Sequence, residues 1–242
     1  MIVIPMAGMS SRFFEAGYTK PKYMLEAQGK TVFEHSVNSF SEYFSTETFL
    51  FIIRDVFGTY DFVKDKIIQQ GIKNYHIVAL DSETRGQAET VALGLEQVDK
   101  SKYTSGVVIF NIDTFRPNFE LPGVEMRGDG YLEVFYGEGS NWSFAKTENE
   151  FSNKVIQTAE KKQISNLCST GLYYFKSAHD FLESYTEYKK LPCELWEKNE
   201  LYIAPLYNYL IEKGKDIRCN IISEDEITFC GVPDEYISFK NK

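Results

Sequence analysis

The chain opens with Met1-Ile-Val-Ile-Pro-Met-Ala-Gly-Met-Ser-Ser-Arg-Phe13, and Thr19-Lys-Pro-Lys-Tyr-Met-Leu25 follows shortly after it. The apolar run Ile2–Ile4 predicts a β-strand, and the small residues behind it allow the backbone to approach a ligand closely. Phosphate oxygens bind convergent backbone N–H groups and nearby cations. The stretch therefore predicts a first strand that leads into a loop able to hold phosphates.

The side chains around this loop suit a phosphorylated ligand. Ser10 and Ser11 offer hydroxyl donors. Arg12 offers a planar guanidinium that can bind two oxygens, and Lys22 offers a compact ammonium on a segment stiffened by Pro21. An ordinary turn with solvated basic residues is the alternative. It is the weaker interpretation, because the loop, Arg12 and Lys22 occur together directly after an N-terminal strand.

These residues resemble the signature of the nucleotidylyltransferases, which join a nucleoside triphosphate to a phosphorylated small molecule, mostly a sugar phosphate, and release pyrophosphate. The signature is a strand, a Gly-x-(Gly/Ser)-(Thr/Ser)-Arg loop and a later Pro-Lys pair, here Gly8-Met9-Ser10-Ser11-Arg12 and Pro21-Lys22. Ser10 replaces a second glycine, as in the branch found among small bacterial capsule and surface-polysaccharide enzymes. The resemblance implies that Arg12 and Lys22 are catalytic and that the following residues bind the nucleotide: Met6, Ala7, Gly8, Ser10, Ser11, Arg12 and Lys22.

Length and composition limit the class of protein. With 242 residues and 43% hydrophobic content, the chain can bury one sizeable core, so we expect a single domain over residues 1–242. No apolar run approaches the length that crosses a membrane, and no basic segment precedes the short apolar start. We therefore expect a cytoplasmic protein with no signal peptide and no membrane partner.

Charge and cysteine content exclude further classes. A formal net charge of −9 disfavours nucleic acid as a partner, because nucleic-acid-binding proteins normally carry a basic surface. The sequence does not decide between a monomer and a homo-oligomer. A structural zinc site or a disulfide framework is not expected, and buried free thiols are predicted at all four cysteines: Cys168, Cys193, Cys219 and Cys230.

Hydrophobic periodicity predicts alternating strands and helices in the first half of the chain. Such alternation implies right-handed crossovers and a mainly parallel sheet, which binds ligands beyond the carboxyl ends of its strands. The resemblance implies a three-layer α/β/α domain of the nucleotidyltransferase, glycosyltransferase-A-like and Rossmann-like type, with a mixed central sheet. Each of these apolar segments precedes a segment of helical character: Ile2–Ile4, Phe49–Ile53, Tyr75–Leu80 and Val107–Ile112.

The second half differs, with turns rich in Gly, Asn and Glu between short alternating segments. This pattern predicts a smaller β-rich lobe, so we divide the domain into a nucleotide-binding half, 1–115, and an acceptor-binding half, 116–242. A loose end is expected at Lys240–Lys242. Strands are expected at Tyr131–Tyr136, Ser143–Thr147, Lys154–Thr158, Arg218–Ile222 and Ile227–Cys230, and helices at Ala178–Lys189 and Ala204–Lys213.

Asp113 is the best candidate for a metal ligand. It falls just past Val107–Phe110, the clearest buried strand of the chain, and Mg²⁺ commonly uses one or two carboxylates together with substrate phosphates. The family has a metal-binding Asp after its fourth parallel strand, and Asp113 matches it. The resemblance thus implies Mg²⁺ as cofactor, while an Asp that merely caps a turn is the structural alternative.

A second metal-binding Asp of the family is missing here. It usually stands two residues before the Gly of a late Asp-x-Gly-Thr-Pro motif, and Phe229 occupies that position before Gly231. Either a carboxylate from Glu224–Glu226 replaces it, or Asp113 and the phosphates hold the metal alone. We favour the second interpretation.

Further matches concern the base and the acceptor. Gln87 opens a helix where the family contacts the nucleobase, although simple helix capping is an equal alternative, and Asn111 is included among the nucleotide-binding residues. Lys161, in Glu160-Lys161-Lys162, resembles the family lysine that binds the acceptor phosphate, and Gly171 belongs to a later strand with acceptor contacts. A solvated surface lysine is the alternative for Lys161.

The resemblance implies Mg²⁺-dependent transfer of a nucleoside monophosphate group to a phosphorylated acceptor. Within the family the chain is similar to the small capsule-pathway cytidylyltransferases, which implies CTP as donor and L-glutamine phosphate as acceptor. A sugar-1-phosphate nucleotidylyltransferase that uses CTP, UTP or dTTP is the alternative. A glycosyltransferase would carry Asp-x-Asp where this chain has Asn111-Ile-Asp113, and a non-catalytic relative would lose Arg12, Lys22 or Asp113, all of which are present.

Overall fold

A computed structural model describes the backbone of residues 1–242 and every side chain apart from that of Lys102. The strands are β1 (Ile2–Met6), β2 (Glu26–Ala27), β3 (Lys30–Thr31), β4 (Thr48–Ile53), β5 (Asn74–Ala79), β6 (Val107–Phe110), β7 (Thr114–Phe115), β8 (Gly130–Tyr136), β9 (Ser143–Thr147), β10 (Val155–Glu160), β11 (Leu167–Phe175), β12 (Ile217–Ile221) and β13 (Thr228–Phe229). The α-helices are α1 (Ser11–Glu15), α2 (Val32–Asn38), α3 (Thr59–Gln70), α4 (Gln87–Leu95), α5 (Val124–Arg127), α6 (Ala178–Tyr188), α7 (Leu206–Glu212) and α8 (Pro233–Lys240).

The chain divides into two compact units. The N-terminal unit comprises Ile2–Glu83, Phe110–Glu120 and Asp225–Lys242. The central unit comprises Met1, Thr84–Ile109 and Leu121–Glu224. The single domain over 1–242, with its halves at 1–115 and 116–242, stays a prediction.

The N-terminal unit is built on parallel strands. β1 pairs with β4 and β4 with β5, so that Met6 lies opposite Ile53 and Ile53 opposite Ala79. β1 is buried along its whole length, as expected for a parallel strand covered on both faces. The carboxyl ends of these strands lie at one edge, and the loop after β1 starts there.

Local signals position the helices of this unit. Thr31 and Glu34 form the capping box at the start of α2, and each side chain accepts a hydrogen bond from the backbone N–H of the other residue. α8 begins with Pro233 and carries acidic residues in its first turn, which favours a helix start. The loose end predicted at Lys240–Lys242 is wrong for Lys240, which is the last residue of α8.

The central unit has a largely antiparallel arrangement. β11 pairs antiparallel with β8 and β9, β10 pairs antiparallel with β9, and β12 pairs parallel with β8. β6 neighbours β11. Helices α6 and α7 lie between β11 and β12 in the chain, and Ser177 caps α6 by accepting a hydrogen bond from the backbone N–H of Asp180. The predicted α/β fold with a mixed sheet is confirmed.

Several boundaries and one cysteine differ from the predictions. β6 ends at Phe110, not at Ile112, because the chain turns there toward Asp113. Cys168, Cys219 and Cys230 are buried free thiols as predicted, whereas Cys193 is exposed, because it begins a short 3-10 helix that has no buried residue. Among the helices of the described chain, none combines the length and apolar character required to span a membrane.

Candidate active site

The loop after β1 changes from buried to exposed within a few residues. Met6 and Ala7 are buried, whereas Gly8 is exposed, and a Cβ atom at Gly8 would meet no atom within 4 Å. Ser10 has a left-handed backbone with φ 56°, which starts the short helix α1. Phe13 is buried in the core and anchors that helix, so Ser11 and Arg12 are left on the exposed side.

Lys22 joins this loop to Asp113. The backbone N–H of Lys22 donates to the Ser10 hydroxyl at 3.1 Å, and the Lys22 ammonium donates to Asp113 Oδ2 at 2.5 Å. The lysine and aspartate side chains are only 22% and 18% exposed. Lys22 is the first residue of a 3-10 helix, Lys22–Met24, which directly follows Pro21. The structure therefore places Ser10, Lys22 and Asp113 together.

Asp113 also lies against the loop before α8. Its backbone carbonyl accepts a hydrogen bond from the Cys230 N–H at 2.7 Å. A Cβ atom at Gly231 would lie 3.1 Å from Asp113 Oδ2 and 3.5 Å from Glu235 Oε2. Glycine at position 231 therefore keeps the space beside the Asp113 carboxylate open.

The sequence reading missed Glu235 as a neighbour of Asp113. Glu235 Oε2 accepts hydrogen bonds from the N–H groups of Gly231 at 2.7 Å and Val232 at 3.2 Å. Glu235 is the third residue of α8, which begins at Pro233. A proline followed by acidic residues is a helix-start pattern, and this was the sequence signal available for the contact. In the acidic segment Glu224–Glu226, the Glu226 carboxylate forms an ion pair with the Arg116 guanidinium at 3.1 Å.

Cys230 adds no charge near Asp113. Burial, with a smaller contribution from the Glu235 and Asp113 carboxylates, raises the pKa of the Cys230 thiol to about 12. The thiol is therefore neutral at physiological pH and does not compete as an anionic metal ligand. Phe229, where the family's second Asp is missing, pairs with Thr114 in the ladder between β13 and β7.

Gln87 begins α4 in the central unit, behind a tightly fitted glycine. Gly86 has φ 141°, and a Cβ atom there would lie 2.5 Å from the backbone oxygen of Leu201. The same Leu201 carbonyl accepts from the Ala88 N–H at 2.9 Å, and the Leu201 N–H donates to the Arg85 carbonyl at 2.7 Å. These bonds fix the start of α4, and with it the position of Gln87.

Lys161 follows β10 and has a left-handed backbone with φ 54°. Its ammonium lies 3.3 Å from Glu160 Oε1, donates to the Asn141 carbonyl at 3.2 Å, and sits 5.3 Å from the ring centre of Tyr202. Glu160 is 5% exposed and its second oxygen accepts from the Ser143 hydroxyl. Burial raises the pKa of the Glu160 carboxyl, and Ser143 and Lys161 partly offset this rise.

The remaining predicted residues are in different surroundings. Gly171 is buried in β11 with φ 87°, between Ser169 and Tyr173, where the pairing with β8 shifts register. The Asn111 carbonyl accepts from the Ser36 hydroxyl at 3.0 Å. Arg12, Asn111 and the β1 loop belong to the N-terminal unit, whereas Gln87, Lys161 and Gly171 belong to the central unit. The roles of all these residues stay predictions.

No protein-family model and no curated protein matches the chain. A crystal structure of the nucleoside-diphosphate-sugar pyrophosphorylase from Vibrio cholerae RC9 is 60% identical over the full length of both chains, with a TM-score of 0.95.

More distant solved structures share the fold. The inositol-1-phosphate CTP transferase from T. maritima is 14% identical, with a TM-score of 0.72 over 97% of this chain and 89% of its own. A UDP-glucose pyrophosphorylase complexed with UDP-glucose is 15% identical, with a TM-score of 0.74 over 99% of this chain and 96% of its own. At these identities the likeness shows the fold alone.

Proposed function

Because the chain belongs to the nucleoside-diphosphate-sugar pyrophosphorylases, a family of nucleotidyltransferases, we propose that it transfers the CMP group of CTP to a phosphorylated small molecule, with L-glutamine phosphate as the acceptor. The observation that carries the proposal is the ion pair of Lys22 and Asp113 at the β1 loop, since it combines a phosphate-binding cation with a metal-binding carboxylate. A role in capsular polysaccharide synthesis in the cytoplasm goes with this proposal, and its support is the resemblance of the Ser10-Ser11-Arg12-Phe13 loop.

The reaction needs positioning and charge stabilisation. An oxygen of the acceptor phosphate attacks the α-phosphorus of the triphosphate, the bond from that phosphorus to the bridging oxygen breaks, and pyrophosphate leaves with the electron pair. Negative charge must be stabilised on both the attacking and the leaving group. Arg12 and Lys22 supply positive charge, and Ser10, Ser11 and the exposed backbone of Gly8 supply hydrogen-bond donors.

The surroundings of Asp113 fit Mg²⁺. Its carboxylate is a hard ligand that already binds a cationic group, and Gly231 leaves space beside Oδ2 that a Cβ atom would fill. Asp113 would hold the ion together with phosphate oxygens, since Glu235 Oε2 is already committed to two backbone N–H groups. When bound, Mg²⁺ would neutralise charge on the phosphate oxygens.

Roles in binding the acceptor and the base complete this proposal. Lys161 binds the acceptor phosphate, exchanging its contact with the Glu160 carboxylate for the phosphate oxygens. Gly171 contributes its backbone to the acceptor. Gln87 contacts the base through its amide, which can both donate and accept hydrogen bonds, and Asn111 is a further nucleotide contact.

A sugar 1-phosphate is the second candidate acceptor. The Vibrio cholerae protein at 60% identity is described as a nucleoside-diphosphate-sugar pyrophosphorylase, which favours a sugar nucleotide as product or reverse substrate. The donor would then be CTP, UTP or dTTP. The two candidates share the chemistry at the triphosphate and differ in the acceptor that is recognised and in the range of donors.

The experiment is a matrix of donors and acceptors assayed for pyrophosphate release with Mg²⁺. CTP, UTP, dTTP and ATP are each combined with L-glutamine phosphate and with several hexose 1-phosphates, alongside a reaction without acceptor. We expect the highest kcat/KM for CTP with L-glutamine phosphate. A higher value for a hexose 1-phosphate would establish the second candidate, and no acceptor-dependent release with any pair would refute nucleotidyl transfer.

A further inference from the structure

Arg54 connects loops that follow the parallel strands of the N-terminal unit. It comes directly after β4, and its Nη1 donates to the sulfur of Met9 at 2.9 Å and to Glu83 Oε1 at 3.0 Å. Met9 belongs to the loop after β1, and Glu83 follows β5. Arg54 itself follows β4, which pairs with both β1 and β5. Its guanidinium therefore contacts the two segments that follow the neighbouring strands.

The two partners of Arg54 differ in burial. The Arg54 side chain is 17% exposed, whereas that of Glu83 is 71% exposed. An ion pair with such an exposed carboxylate contributes little to the free energy of folding, because water and salt screen it. The more sheltered contact is the one with Met9, so the ion pair with Glu83 does not explain why a largely buried guanidinium is placed here.

Met9 lies in the middle of the proposed phosphate loop. It stands between Gly8, which has open space beside it, and Ser10, which has a left-handed backbone with φ 56°. Gly8 gives this segment conformational freedom, and Ser10 is held in a conformation that serine rarely adopts. Without a contact that holds the loop, the triphosphate would have to fix both residues on binding. A side chain that holds Met9 in place removes part of that cost before the ligand arrives.

We propose that Arg54 is a positioning residue for the nucleotide, which acts by holding Met9 and thereby the backbone of the Gly8–Ser11 loop in its triphosphate-binding conformation. This inference rests on the proposed function, because it takes the loop to be the triphosphate site. Arg54 does not need to touch the nucleotide. Its removal should weaken binding of ground state and transition state alike, which raises KM without lowering kcat.

The test compares Arg54→Met, Met9→Leu and their double variant by steady-state kinetics and by calorimetric titration with CTP in the absence of acceptor. We expect Arg54→Met to raise KM and Kd for the nucleotide roughly tenfold, on the scale of one lost charged hydrogen bond, with kcat within about twofold. Met9→Leu, which removes the acceptor sulfur, should raise both roughly threefold. The double variant should be no weaker than Arg54→Met, because both changes break the same contact.

Glu83→Gln is the matched control, since it removes the ion pair and leaves the contact with Met9. It should keep KM for the nucleotide within about twofold of the parent. Arg54→Lys keeps the charge but loses the planar group, so it should rescue less than half of the effect on a logarithmic scale. A Glu83→Gln effect as large as that of Arg54→Met, or multiplicative effects of Arg54→Met and Met9→Leu, would overturn the inference.

Three further outcomes can be distinguished. If Arg54→Met does not fold, as judged by circular dichroism and thermal unfolding, the comparison of Met9→Leu with Glu83→Gln decides, and equal effects of these two overturn the inference. If no acceptor supports turnover, the proposed function fails, while the calorimetric Kd values still test Arg54. If none of the nucleoside triphosphates CTP, UTP, dTTP and ATP binds the parent protein, both conclusions fall.

Discussion

Lys22 and Asp113 are 91 residues apart in sequence and form a short ion pair in a partly buried position. Each neutralises the other, and together they stand at the loop that offers hydroxyl and backbone donors. Replacement of one partner leaves the other charge without its counter-ion in a place with limited access to water. Substitutions at this pair are therefore the most informative single-residue changes in the N-terminal unit.

Lys22→Met should lower kcat/KM for the nucleotide by at least about a hundredfold, the scale of losing one electrostatic contact to developing charge. The matched control is Lys20→Met, two residues earlier, because Lys20 is exposed and lies on the other side of Pro21. That control should stay within about twofold of the parent. Near-parental kinetics for Lys22→Met in a folded protein would refute its assigned role.

The cysteines should react with iodoacetamide in a fixed order. Burial raises the pKa of Cys168 and Cys219 to about 11 and that of Cys230 to about 12. Exposed Cys193 also has a raised pKa, because it is hydrogen-bonded to the Glu194 carboxylate. We expect mass spectrometry to find Cys193 modified first, at a rate that increases with pH as the thiolate forms.

Cys193→Ser should remove this first modification and leave the thermal stability unchanged. The buried thiols should react only after unfolding in denaturant. Modification of Cys230 before Cys193 in the folded protein would contradict the described burial of the segment before α8.

At the scale of elements, the start of α4 depends on a backbone that only glycine adopts. Gly86→Ala places a methyl group 2.5 Å from the Leu201 oxygen at φ 141°, so it should lower the free energy of unfolding by at least about 2 kcal/mol. Gly214→Ala is the control, since Gly214 has φ 77° and open space around its Cβ position. Its cost should be about 1 kcal/mol, from the backbone conformation alone.

Chemical denaturation of both variants measures this difference. If Gly86→Ala and Gly214→Ala lowered the free energy of unfolding equally, the close approach of Leu201 would not restrict the side chain at position 86. Because Gly86→Ala also moves the first turn of α4, it should alter the donor preference at Gln87, whereas Gly214→Ala should not.

The ion pair of Glu89 with Arg85 makes the stability of the central unit depend on pH. Burial opposes ionisation of the Glu89 carboxyl, but hydrogen bonds from Arg85 outweigh it, so the pKa of Glu89 lies below its usual value. A lowered folded-state pKa adds stability above the unfolded-state pKa, and this contribution is lost as pH falls through the folded-state value. Tyr185 donates a further hydrogen bond to Glu89 at 3.2 Å.

Glu89→Gln should therefore reduce the free energy of unfolding at pH 7 by roughly 1–2 kcal/mol, a modest value because the Arg85 side chain is 51% exposed. The difference from the parent should shrink as pH falls below the usual glutamate pKa and through the lower folded-state pKa, because the carboxyl of the parent then becomes protonated as well. Glu96→Gln, an exposed change just past the end of α4, should have no such effect. A constant difference across pH would contradict the assigned pKa direction.

At the scale of the whole molecule, local patterns predicted most elements. The apolar run at Ile2–Ile4 is a signal contained within a few residues, and the strand that it predicts is confirmed. Elements without such a signal were missed or shifted, as at the end of β6. α8 was missed because its helical face is short and Pro233 was read only as part of a motif.

The site was predictable in residue type but not in its contacts. Arg12, Lys22 and Asp113 stood out from the resemblance, while the hydrogen bond of Lys22 to Asp113 depends on tertiary placement over 91 residues. Arg54 carried no local motif. The only signal at Glu235 was its place in the first turn of a helix behind Pro233, and an acidic residue is common there for structural reasons. Their neighbours, Met9 and Gly231, become visible only in three dimensions.

The central claim, that the chain moves a nucleoside monophosphate group to a phosphorylated acceptor, is tested most directly by following phosphorus. CTP labelled at the α-phosphate is incubated with L-glutamine phosphate and Mg²⁺, and a parallel reaction uses CTP labelled at the γ-phosphate. The account predicts α-label in a product that also contains the acceptor, and γ-label in pyrophosphate. With Asp113→Asn, neither labelled product should form. Two results would contradict the central claim. One is release of the γ-label as inorganic phosphate, and the other is α-label that stays in free nucleotide with L-glutamine phosphate and with the hexose 1-phosphates.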